Sequence, residues 1–375
     1  MAGVPKNNNR KPTAKKSFSM QNFKKKTNTE DVPDKPLKWL KLSPALKEAT
    51  GLPGIPLGYV TLARGFSNTG KSTVACEAAV AAQKEGVLPI IIDTENNIGR
   101  KRLEMMGFDT SDDFYIEIDN AYLLENYGKK QDKNRNEAAI EDMAECIKDF
   151  LKMQEDGDLP FDLLFVIDSL GTLDCIRSVN AQEKNTSDNN MWNAGAFEKS
   201  FKYLLNDKIP SSRKENNKYT NSIVGVQKIW IDSMGAGVVK HKGGEAFFYG
   251  ARLIYHFGGV AAHSTKKVNA TSKGRDVSYG IETKVGVVKN QINDDLGGIA
   301  MEGKIISVPH GFIGSEKIDI DKYKKENIQY FRTALGSDVN AEDLATVYTK
   351  GDDGMDVETL TDTINANVDF DNEKK

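Results

Sequence analysis

Three observations predict an α/β fold built on a doubly wound, mostly parallel twisted sheet flanked by helices. The first is Gly65-Phe66-Ser67-Asn68-Thr69-Gly70-Lys71-Ser72, followed by Thr73, which fits the phosphate-loop pattern G-x-x-x-x-G-K-[ST]. The second is its context. Residues 59–64 are β-branched and apolar and read as a strand, and the alanine-rich residues 73–82 read as a helix. The third is a set of continuous apolar runs, such as residues 87–93 and 163–167, separated by stretches of helical periodicity. Uninterrupted apolar runs belong to parallel strands covered on both faces.

The elements follow in order. Residues 1 to about 30 are rich in Lys, Asn, Ser and Thr and read as a mobile basic arm, in which Phe18 and Phe23 form a short segment able to dock on a neighbouring subunit. Residues 36–57, with Leu37, Trp39, Leu40, Leu42 and Leu46, read as a helical lead-in that closes on a glycine–proline turn. After the loop helix come a strand at 87–93, a helix at 98–106, a short strand at 114–118 and a polar loop at 125–136. Ile140, Met143, Ile147 and Leu151 mark a helix over 137–153. A strand at 163–167 runs into Asp168, a helix spans 193–206, and a strand at 222–226 ends at Gln227. Residues 229–244 read as an irregular glycine-rich loop, and 251–257, 278–289 and 304–308 as strands. Residues 315–375 form a small acidic C-terminal region, helical near 340–349 and 355–366. The expected division is therefore an arm (1–35), a core (36–314) and this region (315–375).

Composition narrows the function classes. The chain has 375 residues, 39% hydrophobic and 28% charged, with a formal net charge of −3, so it is not a globally basic nucleic-acid binder. Charge is uneven: Lys6, Arg10, Lys11, Lys15, Lys16, Lys24, Lys25 and Lys26 all precede Glu30, the first acidic residue. Cys76, Cys146 and Cys175 lie far apart in apolar settings, as buried thiols of a reducing compartment do. No zinc spacing or H-E-x-x-H pattern occurs. No apolar run reaches membrane-spanning length and no signal core is present, so a cytoplasmic protein without a membrane partner is expected.

The residue types around the loop specify a nucleotide site. Backbone N–H groups of residues 65–73 wrap phosphate, Lys71 reaches the β- and γ-phosphates, and the Ser72 hydroxyl ligates Mg²⁺. Asp168, at the end of an apolar strand, is the second magnesium ligand. Glu95 stands just past a strand end and is the candidate general base, with Asp93 the second choice. Gln227, also at a strand end, can sense the γ-phosphate. All four lie where ligands bind in open α/β sheets, outside the carboxyl ends of the strands. Residues 177–195, with Arg177, Lys184 and Trp192, and 229–244, with Trp230, Lys240, His241 and Lys242, suit single-stranded nucleic acid: aromatics stack bases and cations meet phosphates. By composition alone these stretches are equally plain surface loops.

The order of these motifs resembles the RecA-type recombinases, most closely the bacteriophage UvsX branch, over roughly residues 37–315. Five segments carry the resemblance: 52–58 leading into the phosphate loop, Ile92-Asp93-Thr94-Glu95, Leu164-Phe165-Val166-Ile167-Asp168-Ser169, Val226-Gln227 with the glycine loop ending Gly243-Gly244, and residues 282–291. The resemblance implies a RecA-like ATPase core, ATP and Mg²⁺ as cofactors, and a helical homo-oligomer on single-stranded DNA with ATP at subunit interfaces. It also implies pairing with double-stranded DNA, help from loading and single-strand-binding proteins, and a bacterial cytoplasm as location, the chain being phage-encoded. Lys289 matches a lysine that reaches the neighbour's γ-phosphate. Two positions on, bacterial RecA has a second lysine where this chain has Gln291, so that clamp is weaker or supplied by Arg252. The family's adenine-stacking aromatic has no match after Glu95, and Arg100 or Arg102 takes its place over the ring. The rival readings are a RecA-fold hexameric replicative helicase and a nucleotide-binding regulator with no DNA role.

Overall fold

The computed structural model describes residues 32–111, 113–183, 191–232, 238–241, 245–259, 265–292 and 302–350. The basic arm, the expected helix at 355–366, Lys184 and Lys242 to Gly244 lie outside these. Two short strands, β1 (Trp39–Lys41) and β2 (Gly54–Pro56), pair antiparallel around helix α1 (Pro44–Thr50). The helical reading of 36–57 is thus correct only for its middle. Pro44 starts α1, Ser43 caps it by accepting the Leu46 amide, and Gly51 (φ 74°) ends it.

Strand β3 (Val60–Gly65) leads into the candidate phosphate loop and helix α2 (Lys71–Lys84) follows it. Then come β4 (Leu88–Asp93), α3 (Arg100–Met105), β5 (Ile116–Ile118), α4 (Ile140–Asp156), β6 (Leu163–Asp168), α5 (Ile176–Glu183), α6 (Met191–Tyr203), β7 (Asn221–Asp232) and β8 (Val238–His241). The chain continues through α7 (Ala246–Gly250), β9 (Leu253–Phe257), β10 (Thr265–Ser272), β11 (Arg275–Asn290), β12 (Glu302–Val308), β13 (Gly311–Gly314), α8 (Lys317–Glu326), α9 (Ile328–Leu335) and β14 (Ala345–Lys350). One sheet holds β13-β12-β11-β9-β3-β7-β6-β4-β5 in that order. From β9 to β5 every neighbour is parallel, while β11, β12 and β13 form an antiparallel wing.

The apolar runs explain the parallel half. Leu163, Phe165 and Ile167 of β6 face one cluster with Leu88, Ile90 and Ile92 of β4, Ile147 of α4 and Phe201 of α6. Leu164 and Val166 face the other, with Ile91, Val224, Val226 and the small residues of α2. Alternate side chains enter opposite cores, so every position must be apolar. The alanines of α2 let that helix lie close on the sheet. A third core under the wing joins Val268, Tyr279, Ile306, Tyr323 and Phe331. It takes in the C-terminal region, where β14 pairs with β10, so the second half of the helix expected at 340–349 is strand and only a 3-10 turn at Ala341–Asp343 is helical.

Two polar contacts fix the frame. Arg135 and Asp142, both almost fully buried, form an ion pair, and Arg135 also donates to the Glu137 carbonyl. They organise the stretch 125–136, read above as a loop, where short α- and π-helical turns cover Asn120–Leu123, Leu124–Gly128 and Lys129–Gln131. Glu77, on α2, accepts from the Ser43 amide (3.1 Å) and the Phe312 amide (2.8 Å), tying the loop helix to α1 and to β13. Burial pushes Glu77 up to about 7, against those two donors. The native state therefore holds a proton that the unfolded chain releases near its ordinary value of 4.5. Stability from this group is full below about pH 4.5 and lost as pH rises through about 7, a change on the order of 3 kcal/mol. Glu77→Gln is expected to flatten that fall, which urea unfolding at pH 5 and pH 8 will measure.

Candidate nucleotide site

The candidate phosphate loop occupies the carboxyl end of β3, and both of its glycines are required by what surrounds them. A Cβ on Gly65 would lie 2.4 Å from the Phe257 carbonyl oxygen. One on Gly70, which also has φ 98°, would lie 3.1 Å from the Phe312 ring. Asn68 takes a left-handed conformation (φ 53°) between them. Thr69 Oγ1 and the Lys71 ammonium both donate to the Phe66 carbonyl, drawing the loop into a closed turn. Ser67 and Asn68 lie along its outer side, and Ser67, Gly70 and Ser72 are only partly covered. Lys71 is 8% exposed. Its burial lowers it to about 8, partly countered by Asp168 and Glu95.

Register brings the acids together. Asp93 at the end of β4 pairs with Asp168 at the end of β6. Asp168 is buried and takes a hydrogen bond from Ser72, but its Oδ2 has no hydrogen-bond partner. Burial is the main cause that raises Asp168 to about 6. A carboxylate oxygen left without a donor, beside a hydroxyl at the rim of an anion cradle, is a donor set that suits Mg²⁺. Among the described residues no group of three or more His, Cys, Asp or Glu could hold a metal, so a cation here takes its remaining ligands from phosphate and water.

Glu95 stands exposed at the same end. Its Oε1 accepts from Ser169 Oγ (2.5 Å) and Thr172 Oγ1 (3.0 Å), and its Oε2 from Asn97 Nδ2 (2.7 Å). Buried Thr94 pins the two strand ends by donating to the Ser169 carbonyl (3.1 Å) and accepting from the Ser169 amide (3.1 Å). Asp93 is engaged differently. Its carboxylate accepts the amides of Glu95, Asn97 and Ile98, which shapes the turn carrying Glu95. Beside Asp93 a cavity of about 760 Å³ opens at the ends of β4 and β5, lined in part by Asn96, Ile98, Arg100, Tyr115 and Tyr122.

Gln227 is fully buried on β7, level with Arg64, the residue before the loop begins. β7 does not stop there. It continues to Asp232 and turns back as β8, so residues 229–244 form a hairpin in part, where an irregular loop was expected. Ile229-Trp230-Ile231 and Val238-Val239 are strand-forming residues that the surrounding glycines obscure. Trp230 is 40% exposed and in register with Lys240, and Ile229 with His241. The described parts of 177–195 belong to helices α5 and α6. Asn193 Oδ1 accepts the Cys175 amide (2.9 Å) and its Nδ2 donates to Asp174, locking the start of α5 to α6. The Arg177 guanidinium lies 3.8 Å from the Trp192 ring centre.

Arg102, Arg100, Lys289 and Arg252 each contact a different part of the structure. Arg102 donates to Thr73 Oγ1 (2.7 Å), which also shares a hydrogen bond with Ser307 Oγ (2.6 Å). Its guanidinium therefore anchors α3 to the start of α2 and to β12. Arg100 pairs with Glu117 (2.9 Å). Lys289, opposite Ile254 and hence level with Leu62, stands about 10 Å back along the sheet from Gly65. It donates to the carbonyls of Phe248 (2.9 Å) and Tyr249 (3.1 Å). Arg252 donates to Gln291 (2.8 Å). The Thr73–Ser307–Arg102 contact and Lys228 are absent from the sequence-based site. Only the position of Lys228, directly after a strand-end glutamine, hinted at the latter.

No helix among the described residues is long and apolar enough to cross a membrane. No family model matches the chain. The chain is distantly similar to curated proteins named Protein RecA. The one from Aquifex pyrophilus is 34% identical over 87 residues, and the one from Aquifex aeolicus (strain VF5) is 32% identical over 87 residues. In both cases the matched stretch covers 23% of this chain and 23% of the relative, so the similarity spans under a quarter of those proteins.

Proposed function

We propose that this chain is an ATP-dependent DNA recombinase that assembles on single-stranded DNA and promotes homologous pairing and strand exchange. The observation that carries the reading is the meeting of the phosphate loop, Asp168 and Glu95 at one end of the sheet, with β7 running from that site into an aromatic-bearing hairpin. The partial similarity to RecA proteins supports the same class. In this reading residues 1–35 grip a neighbouring subunit, 36–314 form the ATPase core and 315–375 a C-terminal region. A phage origin and the UvsX branch belong to the same proposal.

The loop amides and Lys71 hold the triphosphate, while Thr73, fixed by Arg102 and Ser307, keeps the start of α2 in place. Ser72 and Asp168 would hold Mg²⁺, which when bound neutralises charge across the phosphate oxygens. Glu95, oriented by Ser169, Thr172 and Asn97, takes the proton of the attacking water. Gln227 lies at the base of the hairpin, where phosphate occupancy can bias the arrangement of Trp230, Lys240, His241 and Lys242 on DNA. Arg177 and Trp192 form a second stacked contact. Lys289 stands away from its own chain's loop, which suits a role at a neighbour's nucleotide.

The test is ATP hydrolysis with and without single-stranded DNA, imaged in negative stain from the same samples. Strong stimulation with helical filaments is expected. Stimulation with closed rings would turn the assignment to a hexameric helicase. Hydrolysis indifferent to DNA, with no filaments, would leave a nucleotide-binding regulator.

A further inference from the structure

We propose that Lys228 is a second phosphate-facing cation of this chain's own nucleotide site, and that it sets the preference for a nucleoside triphosphate over a diphosphate. The proposal rests on the nucleotide reading above and assigns a residue that reading leaves idle. β7 is parallel to β3, and Lys228 is in register with Gly65, the first residue of the phosphate loop. Neighbouring strands lie about 4.8 Å apart, so the Lys228 backbone stands directly beside the point where the loop leaves the sheet.

Strand alternation sets its direction. Gln227 and Ile229 are buried, while Lys228 and Trp230 are exposed. Lys228 thus shares an open face with the aromatic that begins the hairpin. Its side chain makes no ion pair or hydrogen bond among the described residues, whereas Lys289 is committed to two carbonyls. The Lys71 ammonium donates to the Phe66 carbonyl, one residue along from Gly65, so both lysines belong to the same rim of the loop. Two ammonium groups on one rim, with no carboxylate paired to Lys228 among the described residues, suit an anion between them.

The loop says which anion. The Lys71 ammonium reaches back to the Phe66 carbonyl, so it lies over the first turn of the loop, whereas the α2 amides meet the nearer phosphates. A third phosphate extends toward that first turn, where Lys228 flanks it from β7. Asp93, Glu95 and Asp168 crowd the same end of the sheet. A polyanion entering there meets three carboxylates, and a second lysine offsets part of that repulsion. A diphosphate stops short of Lys228 and gains little from it.

The test uses the full chain without DNA and titrates a fluorescent non-hydrolysable ATP analogue and fluorescent ADP. Lys228→Ala is expected to weaken the analogue about tenfold and ADP less than about twofold, the scale of one charge-assisted contact. Lys228→Arg is expected to restore the preference. An unchanged ratio of the two affinities in Lys228→Ala would overturn the proposal. Lys71→Ala is the control for the reading beneath it. If that variant binds both nucleotides as tightly as the wild type, the nucleotide site itself is refuted. If it loses binding while the Lys228 variant keeps its ratio, only the role of Lys228 falls.

Discussion

Glu95→Gln is expected to lower ATP turnover by about 10²–10⁴-fold while leaving nucleotide affinity within about twofold, the range for loss of a positioned general base. The geometry favours Glu95 over its neighbour. Three side-chain donors, on Ser169, Thr172 and Asn97, aim its carboxylate without burying it. Asp93 spends its oxygens on three backbone amides of the turn that presents Glu95. Removing the Asp93 charge would therefore disturb that turn, whereas glutamine at 95 keeps the shape and loses only the base. The amide must still face donors on both oxygens' sides, so a small loss of order at Ser169 accompanies the loss of basicity. Single-turnover hydrolysis beside equilibrium binding separates the two effects. Turnover within about threefold of wild type would place the proton acceptor elsewhere.

What the sequence made legible follows from which physics is local. A continuous apolar run means a strand covered on both faces, and β4 and β6 sit between two cores as that rule requires. The tight turn over residues 65–70 was readable because its two glycines answer to close approach, Gly65 by the Phe257 carbonyl and Gly70 by the Phe312 ring. The misreadings have equally physical causes. The stretch 125–136 looked like a loop because Arg135, a residue type rarely buried, is almost fully enclosed with Asp142. The pairing of β14 is not visible in its own stretch of sequence, because its partner, β10, lies some eighty residues away. The hairpin of β7 and β8 was masked by glycines that occupy its surroundings and leave the paired residues free. The contact of Arg102 with Thr73, and through it with Ser307, is not legible, because nothing in its own neighbourhood of sequence announces those partners. Lys228 escaped notice because its significance lies in a register with Gly65 across two strands distant in the chain.

Lys71→Ala is expected to reduce ATP turnover by at least about 10²–10³-fold, the cost of removing one preorganised donor from developing charge. It should also weaken ATP binding, unlike the change at Glu95. The same substitution makes an opposite prediction for the nucleotide-free protein. Burial holds Lys71 down to about 8, well below its ordinary 10.5. Between those values the unfolded chain carries a proton that the native state has released, so stability rises with pH across that window. At pH 7 the buried ammonium is therefore a burden on the fold, of up to about 3 kcal/mol. Alanine relieves it at the expense of one donor to the Phe66 carbonyl, and the variant should unfold at a urea concentration equal to or above that of wild type. A side chain kept for packing would behave the other way, lowering stability when removed. Loss of turnover together with unchanged or higher stability is thus the signature of a lysine held in readiness for phosphate. Turnover within about tenfold of wild type would mean that the loop between β3 and α2 is not the phosphate site.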